Sequence, residues 1–434
     1  MGTISFSALG NVFVIPDLRR KLLFTLAMLA LYRLGSYITV PGIPAARLTG
    51  ALNEGIFDFL NLWTGGGLGH AAVFGLGIMP YITASIIMQL MTVVVPSLAE
   101  LQKEGETGYM KINRITRYMT VVLALFQSVG FFLVLKSQTG ANDEPLLPAD
   151  FTLASVDGIA RMMLFVVSMT AGTVLLMWMG ELITQRGIGN GMSLLIFASI
   201  ISRIGPGLST WLQLPIGTRL AVPVLLVAIT AAVVFIQEGQ RRIPVQYAKR
   251  MVGRRMTSGG STYLPLRVNM AGVIPIIFAS ALMAFPTLIA SSIPNQGIQD
   301  FINTYFGPYS AVGVTITAMF VILFTFFYTL VQFNPVDQAD NLKKYGGFIP
   351  GVRPGAPTAQ YLNRVITRLT FSGAMYLAIL IILPAIFVNV FGIASNVSGA
   401  FGGTTILIVV GVALDTMRQM ESQLTMRNYE GFLK

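Results

Sequence analysis

Apolar blocks close to the length of a bilayer-crossing helix recur from one end of this chain to the other, and they leave it few possible folds. They lie at 22–40, 78–95, 118–135, 158–179, 191–204 extending toward 211, 220–237, 270–290, 311–331, 369–391 and 402–417. About 20 apolar residues in a helix cross the roughly 30 Å hydrocarbon layer. Every backbone N–H and C=O in that layer must find its partner within the protein, which favours helices. With 54% hydrophobic and 11% charged residues the chain is far from the soluble average of about 25% charged. The expected class is therefore an all-α polytopic membrane protein with ten transmembrane helices.

Net charge is +11, which in a soluble protein would point to nucleic acid and here points first to topology. Lys and Arg stay on the cytoplasmic side of membrane proteins. Residues 1–21 read as an amphipathic lead-in ending in Arg19, Arg20 and Lys21. The block that follows is too long for a signal peptide and leads into Pro41, Gly42 and Pro44 in place of a small-residue cleavage site, so it is expected to stay as a first helix. Ten spans beginning inside put both termini in the cytoplasm. Of the 29 Lys and Arg, only Arg33, Arg47, Lys136, Arg161, Arg203 and Arg219 then fall outside or near outer ends, so the positive-inside rule is strongly satisfied. Five spans precede the connection near Gly217 and five follow, which divides the chain into halves at 1–210 and 211–434. An odd number of spans per half makes the halves inverted if they are structural repeats.

The second block is preceded by an interruption. Seven glycines fall between Gly55 and Gly77, so a continuous helix across Thr64–Gly77 is not expected. Irregular backbone at membrane depth is tolerated only where protein buries it or where it lines a water-filled cavity. The stretch is thus either a re-entrant element on a polar path or a Gly-rich outer loop between two ordinary helices.

Two inner segments, 238–268 and 332–368, exceed what a helix connection needs. The first carries Arg241, Arg242, Lys249, Arg250, Arg254, Arg255 and Arg267, and the second Lys343, Lys344, Arg353, Arg364 and Arg368 around a Gly/Pro-rich tip. Topology needs only a few of these charges, so they point to docking of a cytoplasmic partner or a ribosome, with contact to anionic lipid as the alternative.

Charge inside the spans is scarce. Arg33, Arg161, Glu181 and Asp415 lie toward span ends, where snorkelling accounts for them, and Ser85, Gln89, Gln127, Thr170, Thr173 and Ser280 at mid-span are uncharged. Coupled transporters and pumps retain intramembrane ionisable residues, which argues against a secondary transporter. The chain has no Cys and a single His70, so a thiolate site, a paired-His metal site and a cysteine nucleophile are excluded. No phosphate-binding loop or nucleophile elbow is present, so no cofactor, metal or catalytic role is expected and an intramembrane hydrolase is disfavoured. A channel without charge in its path can close at a hydrophobic constriction. Ile82 and Ile86 share a helix face, as do Ile196 and Ile200, a spacing equally suited to ordinary core packing.

The strings FGLGIMPYITASIIMQLM (74–91), MWMGELITQRGIGNGMS (177–193), RRIPVQYAKR (241–250), LPLRVNMAGVIPIIFAS (264–280), NLKKYGGFIPGVRPG (341–355) and GTTILIVVGVALD (403–415) resemble the SecY family of protein-translocase channel subunits. The resemblance runs in order from about residue 16 to about 430. It implies two inverted five-helix halves around an hourglass pore. It also implies that residues 57–74, with Phe59, Leu60, Leu62, Trp63, Gly65, Gly66, Gly67 and His70, form a re-entrant plug. Relatives often carry a basic residue near the position of His70, and no role is assigned to the imidazole.

By the same resemblance Ile82, Ile86, Ile196, Ile200, Ile277 and Ile408 match a pore ring, and Gln127 and Phe285 line a lateral gate between the second and third spans and the seventh and eighth. Arg241, Arg242, Lys249, Arg250, Arg254, Arg255, Lys343, Lys344 and Arg353 fall in loops that dock the ATPase SecA and the ribosome, possible contact with ribosomal RNA included. The resemblance further implies SecE and SecG as partners, signal-sequence-bearing preproteins as substrates, exchange with membrane lipids, and a place in the bacterial cytoplasmic membrane.

Overall fold

The structure is a computed structural model that describes residues 15–43, 61, 63–137, 146–147, 155–247, 250–252, 255–257, 261–292, 296–307, 309–389, 397 and 401–431. Its elements are, in order, α1 (Pro16–Gly35), α2 (Met79–Val94), α3 (Pro96–Lys103), α4 (Glu106–Ser137), α5 (Val156–Arg186), α6 (Gly191–Leu212) and α7 (Ile216–Glu238), then strands β1 (Gln240–Tyr247), β2 (Arg250–Val252), β3 (Arg255–Thr257) and β4 (Ser261–Arg267). There follow α8 (Ile274–Ser292), α9 (Gln296–Phe306), α10 (Ala311–Gln332), α11 (Pro335–Lys344), β5 (Gly347–Phe348), α12 (Ala356–Asn389) and α13 (Gly403–Gly431). Several starts are fixed by side-chain oxygens that accept from the first free N–H groups: Ser155 for α5, Asn190 for α6, Ser310 for α10 and Asn334 for α11.

Among the described residues, six helices are long and apolar enough to cross a membrane, which makes this a multi-pass membrane protein. They are α4, α5, α6, α7, α12 and the run Ala311–Lys344, whose apolar part is α10. The pair α2 and α3 passes as a seventh, bent by 98° at Val95, where Pro96 opens the second helix. The helices α1, α8 and α13 fall short of that measure: α1 begins with Asp17, Arg19, Arg20 and Lys21, the apolar part of α8 is Ile274–Met283, and α13 turns polar from Asp415. The first helix also lies earlier than its apolar block suggests, at Pro16–Gly35 and not 22–40, because the chain at Ile38–Val40 pairs with the Gly-rich stretch instead of continuing the helix.

Seven Ser and Thr hydroxyls at mid-span are satisfied within the helices, whereas Gln89 Oε1 on α2 is buried with no hydrogen-bond partner among the described residues. Thr116, Thr120, Ser128, Thr170, Thr173, Thr325 and Thr329 each donate to the carbonyl four residues earlier, the route open to a hydroxyl in an apolar layer.

Helices α1 to α6 pack among themselves, as do α7 to α13. The main contacts between the two groups are α8 with α2, α8 with α4, and α13 with α6. A three-residue connection joins the groups between Leu212 and Ile216, where Trp211 Nε1 donates to the Arg219 carbonyl at 3.0 Å and the Arg219 guanidinium lies 5.5 Å from the centre of the Trp211 ring.

The two basic segments are not simple loops. Strand β1 pairs antiparallel with β4 from Gln240 to Gln246 and with β5 at Gln246 and Tyr247, giving the order β4-β1-β5. Pro244 lies where β1 has no neighbour on the β5 side, and Pro265 lies on the edge strand β4, positions at which a sheet tolerates proline. Ile243 and Val245 point inward with Leu266 onto Ile349, Leu362, Val365 and Ile366, which unites both segments with the first turns of α12 in one small core.

Candidate functional site

The six isoleucines Ile82, Ile86, Ile196, Ile200, Ile277 and Ile408 are all buried and all belong to one apolar cluster. They lie on α2, α6, α8 and α13. These are helices through which the two groups touch, so the isoleucines occupy the boundary between the groups.

On one side of them is a cavity of about 420 Å³. Its walls include Asn190, which caps α6, Ser193 of α6, Ile274 of α8 and Gly411 and Val412 of α13, each within two turns of one of the isoleucines. Arg267, Asp415 and Arg418 also line it. Arg418 pairs with Glu238 at 2.7 Å and with Asp415 at 3.7 Å, and Arg267 reaches Asp415 at 3.5 Å. These exposed pairs contribute little stability, yet they join the ends of α7 and β4 to the middle of α13. Sequence reading treats Asp415 as a snorkelling residue; its two arginine partners come from distant positions and become visible only in the fold.

On the other side lies the Gly-rich stretch. Asn61, Trp63 and Thr64 are helical, and the chain then turns repeatedly up to α2, with Gly65 and Gly66 at φ of 65° and 89°. Phe59, Leu60 and Leu62 lie outside the described residues. Trp63, Gly65 and Gly67 are buried inside the protein, Gly66 and His70 half-buried or better. Ala71 adopts φ 40°, a costly conformation for a residue with a Cβ, and is held there by a bond from Val40 N to its carbonyl. Ala72 bridges to Thr39, and Val73 N donates to the Ile38 carbonyl. Phe74 and Val73 lie directly against Gly35 of α1 and Gly172 of α5, where any side chain would collide with them.

The stretch is gripped by α1 and α6. Tyr32 donates to the Thr64 carbonyl at 3.2 Å and also bonds Ser199; Arg33 Nη1 donates to the Gly65 carbonyl at 2.9 Å, as does Ser202 at 3.3 Å. Arg33 Nη2 donates to the Tyr37 hydroxyl, and the Tyr37 ring meets that of His70 with centroids 5.9 Å apart. Snorkelling therefore does not describe Arg33. The sequence offers no signal for this grip, because the acceptors are backbone atoms 32 residues away.

A seam separates α2 and α4 from α8 and α10. It is packed where α4 meets α8 and opens, toward the sheet, into a cavity of about 280 Å³ lined by Ser85, Gln89, Thr92, Asn113, Thr116 and Gln332. Gln127 lies half-buried on α4; Phe285 is in α8, with its side chain outside what is described. Of the basic residues, Arg241 and Arg242 on β1, Lys343 and Lys344 at the end of α11, and Arg353 are exposed. The Arg353 carbonyl accepts from Thr358 Oγ1 at 2.8 Å, and Gly351 and Gly355 flank it at φ of 83° and 99°. Arg250 and Arg255 lie in β2 and β3, and Lys249 and Arg254 fall outside the described residues.

The sequence model of the SecY family matches residues 72–417. The chain belongs to the SecY family. A SecY family relative, the protein translocase subunit SecY of Corynebacterium glutamicum, is 48% identical over 447 residues, covering 99% of this chain and 100% of that protein. The fold resembles a solved protein conducting channel with TM-score 0.61 at 20% identity, covering 95% of this chain and 96% of the other. It likewise resembles Sec61 in a canine ribosome-channel complex from the endoplasmic reticulum, with TM-score 0.59 at 20% identity and the same coverage. SecY family membership fits the apolar helices and the charge distribution along the chain.

Proposed function

We propose that this chain is a protein-conducting channel of the bacterial cytoplasmic membrane, spanning it ten times with both termini inside and divided at 1–210 and 211–434 into inverted halves. The observation that carries the reading is the stacking along α6: polar cavity at Asn190 and Ser193, apolar waist at Ile196 and Ile200, Gly-rich stretch on Ser199 and Ser202. A polar vestibule, a constriction and a cover follow one another.

An extended polypeptide entering the cavity meets water and polar walls, and at the waist only aliphatic side chains. These can close around side chains of any size and offer no fixed hydrogen bonds to hold a passing chain. In the resting state the same side chains leave water and ions without partners, which opposes their passage. The Gly-rich stretch acts as the plug. The seam between α2 and α4 and between α8 and α10 is the lateral gate, with Gln127 and Phe285 along it. An apolar segment leaving there gains about 0.3–0.6 kcal/mol per strongly apolar residue. This agrees with the packing of the seam by contacts between few helices.

The chain has no ATP-binding motif, so the work comes from SecA or from a translating ribosome docked on the basic sheet and on Arg353. The ribosome is supported by the names of solved neighbours bound to one, whereas SecA, SecE clamping the halves and SecG at the periphery follow from the family resemblance.

A single cysteine at Ile86 or Ile408 is the only thiol in the chain. A precursor arrested in transit and carrying one cysteine should form a disulfide with either on oxidation, and not with a cysteine at exposed Phe126. Cross-linking at Phe126 alone would move the path out of the waist.

A further inference from the structure

The plug is held through its main chain. Two of its polar side chains turn back onto its own backbone: Asn61 Oδ1 accepts from Gly69 N at 2.8 Å and Thr64 Oγ1 from Leu68 N at 3.3 Å, while Trp63 Nε1 is buried with no hydrogen-bond partner among the described residues. What α1 and α6 bind are the carbonyls of Thr64 and Gly65. Thr64 is the last helical residue before the turns; its carbonyl also accepts from Gly67 N at 3.2 Å, while the Gly65 carbonyl is bound by Arg33 and Ser202 from outside the stretch.

We propose that Tyr32 and Arg33, supported by Ser199 and Ser202, are the positioning residues that return the plug to its seat, acting as a clasp on the Thr64 and Gly65 carbonyls. The inference rests on the channel reading. Its chemistry suits a part that must leave and come back. Each bond is replaced by one to water when the plug moves out, so opening costs only the difference between protein and water partners. Donors on α1 and α6 fix one position for the plug. A greasy seat alone would allow sliding, since apolar contact has no direction. Because acceptors are backbone atoms, plug side chains can be exchanged without loss of the clasp.

The test uses Leu68→Cys as the sole thiol, in the translocase reconstituted into proteoliposomes. Leu68 is 4% exposed, so a membrane-impermeant maleimide reaches it only when the plug is out. Arg33→Gln and Tyr32→Phe should each speed modification by about tenfold, the scale expected for a bond involving a charged or buried polar partner. Arg33→Lys, which can still donate to the Gly65 carbonyl, should restore most of the slow rate. Rates unchanged in Arg33→Gln and Tyr32→Phe would overturn the clasp, and Arg33→Lys as fast as Arg33→Gln would replace it with shape packing. Precursor transport in the same vesicles separates this from the channel reading: transport with unaltered labelling sinks only the clasp, and absent transport by the unsubstituted protein sinks the channel.

Discussion

The proposed waist and the proposed plug seat are less than two helical turns apart on α6, and they are built from opposite chemistry. Ile196 and Ile200 join a cluster held by dispersion and water exclusion, in which no partner has a required direction. Ser199 and Ser202, interleaved with them on the same helix, take part in directed hydrogen bonds to Tyr32 and the Gly65 carbonyl. The contrast teaches that a surface meeting many sequences is served by contacts without direction, and a part with one resting place by contacts that have it.

That contrast can be broken most forcefully at the waist. Ile86→Ser together with Ile408→Ser, one from each half, gives the constriction hydrogen-bonding groups, and resting ion conductance in planar bilayers should rise about tenfold or more as water gains partners. Equal conductance would remove the isoleucines from the seal. A second change sharpens the contrast from outside. Arg353→Glu should abolish SecA-driven secretion in vesicles while resting conductance and Leu68→Cys labelling stay at their starting values; secretion at the normal rate would take Arg353 out of docking. The mildest case is Ile82→Val, which removes one buried methylene for about 1 kcal/mol of stability. It should lower the unfolding temperature by a few degrees in calorimetry and raise conductance by about twofold. A rise as large as that of the double serine variant would mean that the waist tolerates no volume change and that direction is not its missing ingredient.

Much of the fold was legible because bilayer physics writes on the sequence in long runs: the apolar blocks from 118–135 through 220–237 all coincide with helices. The break on glycine was legible for the same reason, since a run of glycines cannot carry a helix. Less visible were features made by distant partners. Strand β5 contributes two residues to a sheet whose other strands lie about a hundred positions earlier, and so short a strand has no period to detect. Arg33 sits near the end of a helix like any snorkelling arginine, and only the path of the chain through Gly65 gives it a partner. Local alternation at Ile243 and Val245 was present in the sequence and was hidden by the surrounding charge.

The short strand β5 has a mechanical consequence. Because it stitches 332–368 to 238–268, and both rest on the start of α12, a protein that grips either basic segment takes hold of one folded unit. That unit is continuous with α7 and, through the few residues after β4, with α8, which carries Ile277. On the channel reading, a push or twist applied there is shared among several helices at once and reaches the proposed waist without any contact with it.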